Sequence, residues 1–128
     1  MKHQHFDVET VGFYGAYWAC AGGSDCAVIA MIGDDPEDRL ARSAVKWLCG
    51  RGVNVLTMSP AKKDYGHHNY PLERVEMAIS WLKANGNHKI GIAGASTTGT
   101  LALTAAAMFP DATLTIAMTP SDFVWQGF

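Results

Sequence analysis

The stretch from His88 to Met108, HKIGIAGASTTGTLALTAAAM, compresses a short β-branched run, a glycine-bounded serine and an apolar helix into one unit. Ile90 and Ile92 belong to a buried strand. Gly94-Ala95-Ser96-Thr97-Thr98-Gly99 makes a sharp turn, and Leu101, Leu103, Ala105, Ala106 and Met108 supply a helix with almost no polar face. Small residues on both sides of Ser96 let strand and helix approach closely, which suits a serine held on a strained turn with its Oγ projecting beyond the sheet. That is the geometry of a nucleophile elbow bounded by Gly94 and Gly99. The pattern departs from G-x-S-x-G, because Thr98 stands two places after the serine and the glycine comes one place later. Two other readings use the same residues. Ser96 or Thr97 can simply cap the helix of an ordinary strand-to-helix turn. Gly94 to Gly99 also has the G-x-x-x-x-G spacing that opens a phosphate-binding loop, but Thr100 and Leu101 stand where Lys and Ser/Thr would hold phosphate and Mg²⁺. Gly91, Gly94 and Gly99 do not have the G-x-G-x-x-G spacing of a dinucleotide site, and no cofactor is expected.

Composition bounds what this unit can belong to. With 128 residues, 48% hydrophobic content and a formal net charge of −2, the chain reads as a single globular domain over residues 1–128. Lys and Arg are scattered, apart from the pair Lys62-Lys63, so nucleic-acid binding has no electrostatic footprint. No apolar run approaches the length of a membrane span, and the opening MKHQHFDVET has no apolar core of a leader, which makes the cytoplasm the expected setting. Cys20, Cys26 and Cys49 are odd in number and fit no C-x-x-C pattern, so neither a disulfide framework nor a zinc site is expected.

Working outward from the serine unit, Val8 to Ala21 and Cys26 to Ile32 are rich in β-branched and aromatic residues and flank Gly22-Gly23-Ser24-Asp25. They predict an antiparallel opening of two strands. Asp35-Pro36-Glu37-Asp38 offers an N-cap, a proline at the first helical position and first-turn carboxylates. Leu40, Ala44, Val45 and Leu48 then recur at helical spacing up to Gly50 and Gly52. Val53 to Met58 reads as a buried strand and Ser59 to Tyr70 as a polar loop. Pro71 opens a second helix with a stripe of Leu72, Val75, Ala78, Ile79 and Leu82, stopped by Asn85-Gly86, and Ala112 to Met118 is a further strand. Beyond the opening the order is β-α-β-α-β-α-β. Right-handed crossovers then give an α/β, three-layer domain with a mostly parallel sheet and helices on both faces.

These residues carry a family resemblance. IAGASTTG, the helix PLERVEMAISWL before it, the strand end MIGDD and the closing MTPSDFVWQGF resemble the α/β-hydrolase domain of the acyl-CoA thioester hydrolase and bile acid-CoA:amino acid N-acyltransferase group, over most of the chain. The resemblance implies that Ser96 is the nucleophile. It implies that the Thr97 amide and an amide of the Gly33-Asp34 turn form the oxyanion hole, and that the substrate is a small ester or acyl-CoA thioester. It also implies that the chain corresponds to the N-terminal half of a longer hydrolase, ending before the acid and the histidine.

A serine nucleophile needs a base, usually His, oriented by a carboxylate. No histidine follows Ser96; the five are His3, His5, His67, His68 and His88. His88 starts the serine strand and stands roughly 20 Å from Ser96 at about 3.3 Å per residue. His67 and His68 lie in the loop on the carboxyl edge of the sheet and can be solvated polar residues, a base, or with Asp64 a weak metal pattern; no metal is expected. Asp122 is either a turn residue or the triad acid. Two classes of function follow. One is a serine hydrolase or acyltransferase working through acyl-Ser96, inactive or incomplete as this chain. The other is a non-catalytic α/β module that associates through an exposed sheet edge. In either case the edge at Ala112 to Met118, with Phe123, Val124, Trp125 and Phe128 after it, predicts a homo-oligomer.

Overall fold

A computed structural model describes residues 3–32, 35–58, 72–95, 102, 104, 105, 107–110 and 112–118. Six strands and three helices are defined among them: β1 (Gln4–Phe6), α1 (Val8–Val11), β2 (Gly15–Trp18), β3 (Cys26–Met31), α2 (Arg39–Cys49), β4 (Asn54–Met58), α3 (Glu73–Ala84), β5 (Lys89–Ala95) and β6 (Ala112–Met118). The strands form one sheet in the order β1-β2-β4-β3-β5-β6. β4, β3, β5 and β6 are mutually parallel, whereas β1 pairs antiparallel with β2 and β2 with β4. This is the expected mixed sheet with an antiparallel start.

Strand alternation divides the core between the two faces. Ile29, Met31, Leu56, Met58, Ile90 and Ile92 face α3, whose Val75, Ala78, Ile79 and Leu82 form the expected buried stripe, and Ala102 and Ala105 of the returning helix join the same cluster. On the opposite face Ala16, Trp18, Ala30 and Val55 pack against Val45 of α2. β5 is an interior strand, so Ile90 and Ile92 are buried as expected. At the amino ends of the parallel strands, buried Asn54 donates to Asn87 Oδ1 at 2.9 Å and to Ser24 O at 3.0 Å, while its own Oδ1 accepts the Cys20 amide at 2.9 Å. Asn54 thereby satisfies two backbone groups of the β2–β3 connection.

Three details of the opening differ from expectation. β2 and β3 are not neighbours, because β4 lies between them. β3 is apolar at almost every position and buried on both faces, which suits an interior parallel strand rather than one arm of a hairpin. Val8–Val11 is a single helical turn, closed by Gly12 at φ 88°, whose N–H bonds to Val8 O at 2.9 Å. A left-handed glycine cap there outweighs the local β-branched composition. Finally, α2 starts one turn later than Asp35-Pro36 suggests. Asp38 is the N-cap, accepting the Ala41 amide at 2.9 Å, while Asp35 accepts the Glu37 amide at 2.9 Å and closes a separate turn. With that start, Ala41 and Val45 face the sheet and Leu40 is 61% exposed rather than part of the core stripe.

Candidate active site

Parallel register aligns the carboxyl ends of the central strands. Met31 of β3 pairs with Gly94 of β5, Gly94 pairs with Ala117 of β6, and Ala95 pairs with Met118. Gly94 is buried within β5. Just before it, Gly91 leaves room for β6, since a Cβ there would lie 3.2 Å from Leu114 O. Ala95 ends β5 and is bonded to Ser96, and helical Ala102 and Ala105 bring the chain back onto the α3 face. Ser96, Thr97 and Gly99, with Gly33 and Asp34, lie outside the described residues, as do Asp64, His67, His68 and Asp122. So do the tail residues Phe123, Val124, Trp125 and Phe128. His88 is exposed at the far end of β5, where its amide donates to Asp25 O at 2.8 Å. Seven strand residues separate it from Ser96.

On the α2 face the chain gathers a set of ionisable side chains that sequence inspection did not single out. His5 on β1 and His3, just before it, both reach Glu37 and stand two residues apart. The His3 ring hydrogen-bonds Glu37 Oε1 through Nε2, and His5 Nδ1 bonds Glu37 Oε2 at 2.7 Å. His5 Nε2 also stands 3.6 Å from Asp7 Oδ1, and Arg42 Nη2 stands 3.9 Å from Glu37 Oε1. His3 stacks on Trp18 with ring centroids 4.1 Å apart, and the Arg42 guanidinium lies 5.2 Å from the same indole. Burial acts to raise the Glu37 carboxyl, but hydrogen bonds from the two histidines and their charge outweigh it and hold the group below its ordinary range. Nearby, burial and the charges of Asp35, Glu37 and Asp7 push the Tyr14 phenol up. The histidines bond different carboxylate oxygens. Among the described residues no group of three such side chains converges to hold a metal ion. The only local sequence signal was the spacing H-x-H on a strand, and its partner Glu37 is 32 residues away.

Beneath this cluster a buried hydroxyl fixes the segment that follows β3. Thr57 on β4 accepts from Trp18 Nε1 at 3.0 Å and donates to Pro36 O at 2.6 Å. Asp35 and Asp38 hold each other's ends of the turn, with Asp35 N donating to Asp38 Oδ2 at 3.1 Å. Arg42 Nε donates to Glu37 O at 2.8 Å. The short turn 35–38 is thus tied to β4 from below, to β1 from the side and to α2 from behind.

No family model matches the chain, and no curated protein matches it in sequence. Solved structures do match. The α/β hydrolase GrgF from Penicillium sp. sh18 superposes with a TM-score of 0.73 at 22% identity, covering 93% of this chain and 45% of its own. A cold-adapted esterase from an Arctic intertidal metagenomic library gives 0.72 at 20% identity, over 90% and 59%. A soluble variant of monoglyceride lipase from Saccharomyces cerevisiae, solved with a substrate analogue, gives 0.62 at 18%, over 96% and 44%. The chain therefore has the α/β-hydrolase fold. It spans about half the length of these structures.

Proposed function

We propose that this chain is an ester-hydrolase-type domain that acts through Ser96, with small esters or acyl-CoA thioesters as its substrate class. One observation carries the proposal: an interior parallel strand delivers Gly94 and Ala95 to the carboxyl edge between β3 and β6, immediately before a serine and a helix that returns to the sheet. In that reaction Ser96 Oγ bonds to the acyl carbon and the bond from that carbon to the leaving oxygen or sulfur breaks. The hydroxyl proton passes to the leaving group by way of a base, and water later cleaves the acyl-serine ester. The amide of Thr97 and one of the Gly33-Asp34 turn take the developing negative charge.

The likeness to esterases and a lipase supports ester chemistry; the thioester preference rests on the family resemblance alone. No histidine follows Ser96 in the sequence, and His3 and His5 are occupied by Glu37. With no base supplied by His67 or His68, turnover by this chain alone is expected to be absent or very slow. A second role, association through the sheet edge, is favoured by Leu114 and Ile116 of β6, which are 57% and 40% exposed; the partner is a second copy of the chain. Three free thiols fit a reducing, cytoplasmic setting, and among the described residues no helix is long and apolar enough to cross a membrane.

The test is hydrolysis of p-nitrophenyl and acyl-CoA esters by wild type and Ser96→Ala. Absent or very slow release of product is the expected result, and robust turnover that Ser96→Ala abolishes would refute the absence of a base while keeping Ser96 as nucleophile. Robust turnover indifferent to Ser96→Ala contradicts the proposal. Robust turnover that His67→Ala or His68→Ala also removes would assign the base to that loop.

A further inference from the structure

Cys20 and Cys49 stand apart from the serine unit, and the chemistry proposed for Ser96 makes no use of them. We propose that these two residues form a dithiol pair that a peroxide converts to an intramolecular disulfide, tying the carboxyl end of α2 to the chain that leaves β2.

Two segments bring the thiols together at the amino end of β4. On β2, Ala16 and Trp18 face α2 while Tyr17 faces α3, and the same alternation carries Cys20 to the α2 side. Its place along the sheet is fixed, because Trp18 pairs with Val55 and the Cys20 amide donates to Asn54 Oδ1 at 2.9 Å. Cys49, the last residue of α2, packs on the cluster of Trp18 and Val55, and its Sγ lies 3.8 Å from Trp18 O, the carbonyl two residues before Cys20. The turn after the helix keeps it there. Gly52, at φ 78°, donates to Cys49 O at 3.1 Å and Val53 donates to Leu48 O at 3.2 Å, so the chain enters β4 directly at Asn54. Cys26 is separate: it lies on β3, with β4 between it and β2, and its Sγ stands 3.5 Å from Asp25 Oδ1.

Cys20 is buried and Cys49 half-buried, so a small oxidant meets Cys49 first. Burial, and then the neighbouring Cys20, push the Cys49 thiol up. That slows the first step, whereas nearness to Cys20 speeds the second. In the first step Cys49 Sγ gives up its proton and bonds to one peroxide oxygen. The O–O bond breaks, the departing hydroxide takes that proton to become water, and Cys49 is left as a sulfenic acid. In the second, Cys20 Sγ bonds to the Cys49 sulfur, the S–O bond breaks, and the hydroxyl leaves with the Cys20 proton as a second water. The two thiols lose two electrons and the peroxide gains them.

Treating the folded chain with hydrogen peroxide tests the pair. After a stoichiometric dose, remaining thiols are blocked in denaturant and the peptides are mapped by mass spectrometry without reduction. The expected product is a Cys20–Cys49 cross-link, formed about tenfold faster in the folded chain than in urea and equally well in Cys26→Ser, with Cys26 outside any bridge. The oxidised chain is expected to unfold at a higher urea concentration than the reduced one, because the bridge constrains the segment 20–49 when unfolded, and dithiothreitol is expected to reverse the gain. A bridge to Cys26, a sulfinic acid at Cys49 with no bridge, an unreacted pair, or a rate no faster in the folded chain than in urea overturns the proposal. A lower urea midpoint after bridging overturns it as well, since thiols already placed for bonding close without distortion.

Discussion

Thr57 is, with Asn54 and Asn87, one of three buried polar side chains among the described residues that each make three hydrogen-bond contacts. Its hydroxyl is fully buried and bridges Trp18 Nε1 and Pro36 O, with Ala16 O a further 3.2 Å neighbour. Valine has nearly its shape and none of its hydrogen bonds. Thr57→Val would strand an indole donor and a carbonyl in the interior, so a loss of about 1–3 kcal/mol is expected in urea denaturation; an unchanged midpoint would mean that water replaces the hydroxyl. Cys49 offers a second test at this scale. Its thiol is pushed up, first by burial and then by the neighbouring Cys20, and its Sγ lies 3.8 Å from Trp18 O. A raised thiol contributes stability below its unfolded value and loses it as pH rises through the folded one. Cys49 should therefore alkylate more slowly with iodoacetamide in the folded chain than in urea, and equal rates would contradict its protected state. Residue roles of this kind are poorly legible in sequence. Glu37 reads as a first-turn helix carboxylate until the Asp38 cap shifts the start of α2, and only the pairing of β1 with β2 lifts His3 onto Trp18.

At the scale of elements, legibility follows how local the determining contacts are. The α3 stripe of Val75, Ala78, Ile79 and Leu82 is set by a 3.6-residue period within one helix, and β6 by an unbroken run bounded on both sides; both were readable directly. α2 shows what a local pattern leaves open. Leu40, Ala44, Val45 and Leu48 fit a helix, but which side faces the sheet depends on the cap, and Ala41 takes the place expected of Leu40. The order of strands was least legible, because β4 inserts between β2 and β3 through contacts far apart in sequence. That insertion places a firm demand on Gly15. A Cβ at Gly15 would lie 2.5 Å from Thr57 O, closer than neighbouring strands permit. Gly15→Ala should push β2 from β4 and cost about 1–3 kcal/mol, with the loss read by thermal denaturation; a neutral substitution would mean that the two strands pack less closely than described.

Among the described residues the sheet is covered unevenly. α2 shields β3 and β4 on one face, but Leu114 and Ile116 on β6 lie beyond it, and Met108 is exposed on the returning helix. Apolar side chains on an edge strand invite a partner. Light scattering at high micromolar concentration should find a dimer or larger assembly, and Leu114→Lys combined with Ile116→Lys should return it to monomer. A monomeric wild type would show that this edge stays solvated. Of the candidate site, the sequence supplied the strand that leads to Ser96, through Ile90, Ile92 and Gly94, because that strand is short, apolar and flanked by small residues. The base was not legible, since no His follows Ser96 and proximity between distant loops leaves no periodic trace.

The most direct test of the serine site is to react the 128-residue chain with a fluorophosphonate and map the modified residue by peptide mass spectrometry. On the proposed role of Ser96, oxyanion stabilisation retains part of the reactivity of a hydrolase without its base. Slow, single-site modification of Ser96, absent in Ser96→Ala and in urea, is the predicted result. Modification spread over other hydroxyls, or a Ser96 no more reactive folded than unfolded, would contradict it.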